Sequence, residues 1–204
     1  MGKIVSILPR KVLARGLKLT SLPSTQRIKE YLLPDEYKLI FVLQKLPTFP
    51  HQQVTLLYPG CGTDILFPLL YLEKLFPKLE KAQFLFVDVY DLRDAIKTIL
   101  DDIGVSFAED NHLLQFYWKG KLITLTFIEK DIFQVQLPAF NVYFERAFRI
   151  MKDGHENYEQ RVFEKLAKGG ILMSDSGFKD VPLRRMKVPQ ELSAYGEMVL
   201  GVKE

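Results

Sequence analysis

Residues 56–70, LLYPGCGTDILFPLL, set two glycines, a cysteine and an aspartate between an apolar run and a helical one. Gly60 and Gly62 can take backbone angles closed to other residues, so a ligand can come close to the main chain. The helix that starts next offers amide donors with no helical partner. Asp88 stands 26 residues after Gly62, at the end of the apolar run QFLFV, with Val89, Tyr90 and Asp91 behind it. A carboxylate at a strand end, that far beyond a glycine turn, accepts hydrogen bonds from ribose hydroxyls in dinucleotide-type folds. Turn, helix and acid in this order point to a ligand containing a nucleoside. Ile65 fills the place where a nicotinamide fingerprint needs Gly or Ala, and no G-x-x-x-x-G-K-[ST] run is present, so neither of those motifs applies. His51, His112 and His155 are scattered and Cys61 is the single cysteine, which gives no metal-ligand spacing and no internal disulfide.

Alternating strand and helix patterns must position these residues. Ser24 or Thr25 caps a helix in QRIKEYLL, and Pro34 and Asp35 start a second through DEYKLIFVLQKL, which Pro47 and Pro50 end. Strands are expected over Val54–Tyr58, Gln83–Val87, Phe140–Phe144, Ile171–Ser174 and Glu197–Val202. A hairpin pairs Leu113–Trp118 with Leu122–Ile128 across Lys119-Gly120. Helices are expected over Asp64–Phe76, Leu92–Ile103 and Tyr158–Ala167. The reading is an α/β fold with a largely parallel sheet, made of an N-terminal helical extension (1–53) and one main domain (54–204). Ligands of such sheets bind beyond the carboxyl ends of the strands. The strand-end residues there are Glu129 and Asp131, Glu145 and Arg146, Asp175 and Ser176.

The ordered set LLYPGCGTD, FLFVDVYD, TFIEKDIF, FNVYFERAF and RVFEKLAKGGILMSDS resembles the motifs of the class I S-adenosylmethionine-dependent methyltransferases, from about Val54 to the C-terminus. The resemblance implies a Rossmann-like three-layer sandwich with a mostly parallel seven-stranded sheet, its antiparallel last strand supplied by GEMVLGV. It implies S-adenosylmethionine as cofactor, held around Tyr58, Pro59, Gly60, Cys61 and Gly62, with Asp88 and Val89 at the ribose and Asp131 and Ile132 by the adenine. Three departures stand out: Tyr58 where the family usually has an acid, Asp64 where it has a glycine, and Asn141 where it has an aspartate. Asp64 either replaces the lost charge at the cofactor's ammonium group or caps the following helix, and one role does not exclude the other. Methyl transfer relies on positioning, with a base needed only if the acceptor must lose a proton. Glu145 is the candidate base, and Arg146 the candidate for orienting an acceptor carboxylate or phosphate; a surface ion pair is the alternative for both.

The function read from these residues is an S-adenosylmethionine-dependent methyltransferase acting on an unidentified small molecule. The alternative is a non-catalytic protein of the same fold that binds a nucleoside ligand or a protein partner. An aminopropyltransferase, whose substrates are cationic, is a third reading, against which the cluster Lys179, Arg184, Arg185 and Lys187 counts. At 204 residues, nearly half of them hydrophobic, the chain can bury a sizeable core. A net charge of +3 is too mild to imply nucleic acid. The longest apolar runs fall well short of the roughly 20 residues that span a bilayer. The lone cysteine suits a reducing, cytoplasmic setting. Residues 1–20 carry five basic residues and no acid; packing on the domain is favoured over a transit peptide or the myristoylation pattern of MGKIVS.

Overall fold

The computed structural model describes residues 7–20, 22–111, 113–192 and 197–204; the MGKIVS pattern and His112 lie outside the described residues. Two helices come first, α1 (Thr25–Tyr31) and α2 (Pro34–Val42). The Ser24 side chain caps α1 by accepting the Arg27 amide, as expected. Then follow β1 (Gln53–Pro59), α3 (Leu66–Leu75), β2 (Lys81–Asp88), α4 (Arg93–Asp102), β3 (Phe107–Asp110), β4 (Leu113–Trp118) and β5 (Lys121–Glu129). The chain continues through β6 (Phe140–Glu145), α5 (Arg149–Asp153), α6 (Tyr158–Lys165), β7 (Leu166–Ser174), β8 (Leu183–Arg185) and β9 (Val199–Lys203).

The strands form one sheet in the order β3-β4-β5-β2-β1-β6-β7-β9-β8. The central strands β5, β2, β1, β6 and β7 are parallel, and β9 runs antiparallel to both β7 and β8. Among the described residues the sheet has nine strands, where the sequence predicts seven. The two additions, β3 and β8, are edge strands of four and three residues. Their charged residues carry no apolar alternation, a usual way to blunt a sheet edge and one that erases the sequence signal. Strand order reverses between β1 and β6, so the carboxyl ends of these two strands flank the crevice where ligands of this architecture bind.

Alternating residues of each central strand separate two cores. Leu56, Tyr58, Phe84, Phe86 and Phe144 pack toward α1, α3 and α4, while Leu57, Leu85 and Tyr143 pack with Tyr158 and Val162 of α6. Helix α3 lies deepest, with eight of its ten residues buried. Gly170 explains a shift in the pairing of β6 with β7, since a Cβ there would stand 2.7 Å from the Ala167 carbonyl oxygen.

Residues 7–20 lie against α4. Val12 is buried, Arg10 binds Asp101 (2.7 Å) and Asp102, Arg15 binds Asp101 (2.9 Å), and the Arg15 amide donates to the Phe107 carbonyl (3.0 Å). Replacing Asp101 with Ala removes two of these ion pairs, whose arginines are at least half exposed. Hydrogen exchange of the Arg10 and Arg15 amides should quicken, while global stability falls by less than about 1 kcal/mol.

Candidate functional site

Gly60 and Gly62 both hold positive φ, 55° and 53°, which forms the sharp turn beyond β1. Asp88 pins this turn from the end of β2. Its Oδ2 accepts the Gly62 amide (2.9 Å) and its Oδ1 the Tyr90 amide (3.2 Å). Each carboxylate oxygen can accept about two hydrogen bonds, so one site on each oxygen is left for a ligand. Gly60, Asp88, Val89, Asp131 and Ile132 line one cavity of about 240 Å³, closed by Phe133 and Phe148 and rimmed by exposed Val89, Tyr90 and Met151. Sequence reasoning placed the first five together. Asp131 shapes the wall by accepting the Phe133 amide (2.9 Å) and the Gln134 side-chain amide (3.0 Å).

Phe148 was missed, because nothing in its local pattern sets it apart from a core phenylalanine. It is buried, lies nearly parallel to Phe133 with ring centroids 5.9 Å apart, and covers Gly60 so closely that a Cβ there would stand 2.6 Å from its ring. The glycine turn that would admit a ligand is therefore closed on that side by the chain's own aromatic ring.

The other first-motif residues lie outside this cavity. Tyr58 is buried between Phe86 and Phe144, and its hydroxyl donates to Asp64 Oδ2 (2.8 Å). The same oxygen accepts Arg146 Nη1 (3.0 Å), while Asp64 Oδ1 accepts the Phe67 amide (3.1 Å) at the start of α3. Asp64 thus caps the helix, and its charge is met by Arg146 within the chain. Arg146 Nη2 reaches Glu36 of α2 (3.2 Å), and the guanidinium lies 3.3 Å from the centre of the Phe67 ring. Desolvation pulls the Arg146 pKa down, but Asp64, Tyr58 and Glu36 outweigh it and hold it above the ordinary value. Burial raises the Tyr58 pKa, and the Asp64 charge raises it further. Cys61 and Asp64 line a separate hollow of about 230 Å³ with Glu36 and Arg146.

Glu145, the expected base, borders none of the cavities described here. Its side chain is 0% exposed and anchors a buried polar network. Tyr143 (2.5 Å), Ser176 (3.2 Å), Ser174 and Lys152 all donate to it, and Lys152 also pairs with Glu159 (2.8 Å). Burial raises the Glu145 pKa against the opposing pull of Lys152, Ser174 and Tyr143. Glu145 thus holds together strand β6, helix α5 and the turn after β7, away from the strand-end cavity. Lys152, which completes the network, gave no sequence signal.

Asn141 sits at the opposite end of the sheet. Its Oδ1 accepts the Thr55 amide (2.7 Å), and its Nδ2 donates to the Gln53 carbonyl (3.4 Å), the second a bond that an ionised aspartate could not make. It borders a hollow of about 430 Å³ over the amino ends of β1, β2 and β5, larger than the strand-end cavity but away from the topological switch. Among the described residues no cluster of His, Cys, Asp or Glu is placed to hold a metal ion, and no helix is long and apolar enough to cross a membrane.

No protein-family model matches the sequence, and no curated protein matches it. The solved structures similar to it include proteins described as methyltransferases. An O-methyltransferase family protein from Burkholderia thailandensis is 13% identical (TM-score 0.48; 82% of this chain, 56% of that one). TrmN from Thermus thermophilus is 13% identical (0.43; 84% and 48%). The cyclopropane synthase MmaA2 from Mycobacterium tuberculosis is 16% identical (0.42; 68% and 41%). The chain thus spans about half the length of these proteins.

Glu145→Gln should destabilise the fold by about 3 kcal/mol in urea titrations, the low end for breaking a buried pair because Glu159 still holds Lys152. Adenosine affinity should stay within about twofold, as Glu145 lies outside the cavity.

Proposed function

We propose that the protein is an S-adenosylmethionine-binding methyltransferase acting on a small molecule, with the nucleoside end of the cofactor in the apolar cavity beside Asp88. One observation carries the reading: a carboxylate with two acceptor sites to spare stands at the carboxyl end of β2, next to the strand that borders the topological switch, beside a glycine turn and a slot walled by Val89, Ile132 and Phe133. A planar base suits the slot, and ribose hydroxyls suit Asp88. The residues fit this end of the cofactor. They do not fit its amino-acid end as the chain stands, because Phe148 covers Gly60 and the Asp64 charge is already met by Arg146. At about 240 Å³ the cavity is also below the roughly 300 Å³ at which small-molecule sites usually begin. The cofactor supplies an activated methyl group, and the chain's part is to hold the nucleoside and to move Phe148 aside.

The closure of Gly60 by Phe148 favours a second reading, in which the protein binds a nucleoside and transfers nothing. Calorimetry separates the two. Under the methyltransferase reading S-adenosylhomocysteine binds wild type, and Phe148→Ala tightens it about tenfold, roughly 1.4 kcal/mol, while adenosine changes by less than about twofold. If adenosine binds, S-adenosylhomocysteine does not, and Phe148→Ala changes neither, the nucleoside-binding reading replaces it. Failure of both ligands removes both readings.

A further inference from the structure

Residues 7–20 and Leu22 lie in no helix or strand, and Leu8, Leu13, Leu17, Leu19 and Leu22 among them are 43% to 83% exposed. A single exposed leucine is ordinary. Here five of the twelve large apolar side chains exposed among the described residues fall in one short stretch, which marks a contact surface. These leucines do not hold the stretch on the domain. Val12 is buried and Ile7 packs against the core, the Arg10 amide donates to Thr98 Oγ1 (3.1 Å), and Arg10 and Arg15 pair with Asp101. Attachment is complete without them, and they face water.

The charges of the same stretch narrow what could cover it. Residues 1–29 hold seven cations, Lys3, Arg10, Lys11, Arg15, Lys18, Arg27 and Lys29, and no acid. Asp101 and Asp102 meet Arg10 and Arg15, Glu30 meets Arg27, and Lys29 lies over the Tyr37 ring. Lys11 and Lys18 are exposed, have no ion pair among the described residues, and alternate with the exposed leucines along the chain. Nucleic acid would use the lysines and leave the leucines wet, because phosphate contacts have no role for apolar side chains. A groove on a protein reads apolar residues at the period of a helix or a strand, and positions 8, 13, 17, 19 and 22 follow neither. A lipid surface asks for no register. Each leucine enters the boundary between headgroups and acyl chains separately, and lysines beside it meet anionic headgroups.

We propose that residues 8–20 and Leu22 form a docking surface for an anionic lipid bilayer, with the exposed leucines at the acyl boundary and Lys11 and Lys18 at the headgroups. Arg10 and Arg15, held by Asp101 and Asp102, keep the stretch on α4, so the whole domain is carried to the surface. The contact lies on the bilayer and does not span it, in keeping with the absence, among the described residues, of a helix long and apolar enough to cross.

The test is co-sedimentation of the protein with vesicles made of equal parts phosphatidylcholine and phosphatidylglycerol, with pure phosphatidylcholine vesicles as control. Binding to the anionic vesicles should be at least about tenfold stronger than to the control and should weaken as salt is added. Lys11→Gln combined with Lys18→Gln should weaken it about tenfold, as should Leu13→Ser, Leu17→Ser and Leu19→Ser combined. All five side chains are exposed, so the melting temperatures of these variants should match wild type. Leu13→Trp gives a second reading should the serine variant not fold: its emission should shift to the blue on anionic vesicles. Trp118, the one native tryptophan, is buried and supplies a constant background. No sedimentation with anionic vesicles overturns the proposal, as does equal sedimentation with both kinds. A folded serine variant that sediments like wild type, or a Leu13→Trp emission that vesicles leave unchanged, overturns it too, since adsorption then needs only the lysines. Binding of an oligouridine in place of vesicles assigns the surface to nucleic acid instead.

Discussion

A guanidinium largely withdrawn from water at the mouth of the crevice governs much of what surrounds it. Arg146 follows β6 directly, at the strand-order reversal, and a charge in that position must be met by acids and aromatic surface. Asp64 supplies one acid from the start of α3, Glu36 another from α2, and Phe67 the ring beneath. Their side chains are 21%, 22% and 26% exposed for Arg146, Asp64 and Glu36, so these pairs outrank ordinary surface salt bridges. The unusual first motif follows from this. With Arg146 demanding a carboxylate at the head of α3, the acid sits at position 64, and Tyr58 at the strand end becomes a hydroxyl that holds it. The N-terminal helices are tied to the crevice by the same residue through Glu36.

This arrangement divides the crevice. On one side of the glycine turn, Asp88 and the apolar walls around Ile132 leave a slot with unused acceptors. On the other, Arg146 stands between two hollows lined by acids. Phe148, two residues beyond Arg146, lies over Gly60 and separates the slot from the charged half. A ligand reaching from one half into the other must displace that ring. The conformation of Phe148 therefore decides whether the two halves act as one site.

Much of this frame was legible in the sequence. The runs around Leu56, Phe84 and Leu172 are apolar on both faces because helices cover both faces of the central sheet, and period and turn residues locate such strands well. Reading strand ends in order singled out Gly60, Asp88 and Asp131, and the motif resemblance grouped them with Val89 and Ile132. What was hidden depends on long-range packing. The α3 helix begins at Leu66, two residues after Asp64, because Asp64 caps it from outside. Glu145 looked like a site acid from its place after β6, but alternation along the strand turns it into the α6 side of the sheet, where Lys152 meets it. Helix α5, of five residues, is too short to show a period, and it is the element that supplies Lys152 and Met151. No local feature announces that Phe148 covers a glycine 88 residues earlier in the chain.

The claim on which the account turns is that Asp88 and the slot beside it receive a nucleoside. Saturation-transfer NMR of adenosine with wild-type protein and with Asp88→Ala tests it directly. Wild type should transfer magnetisation to both the adenine and ribose protons, and Asp88→Ala should lose most of the ribose signal. Equal transfer from the two proteins, or none from wild type, would contradict the account.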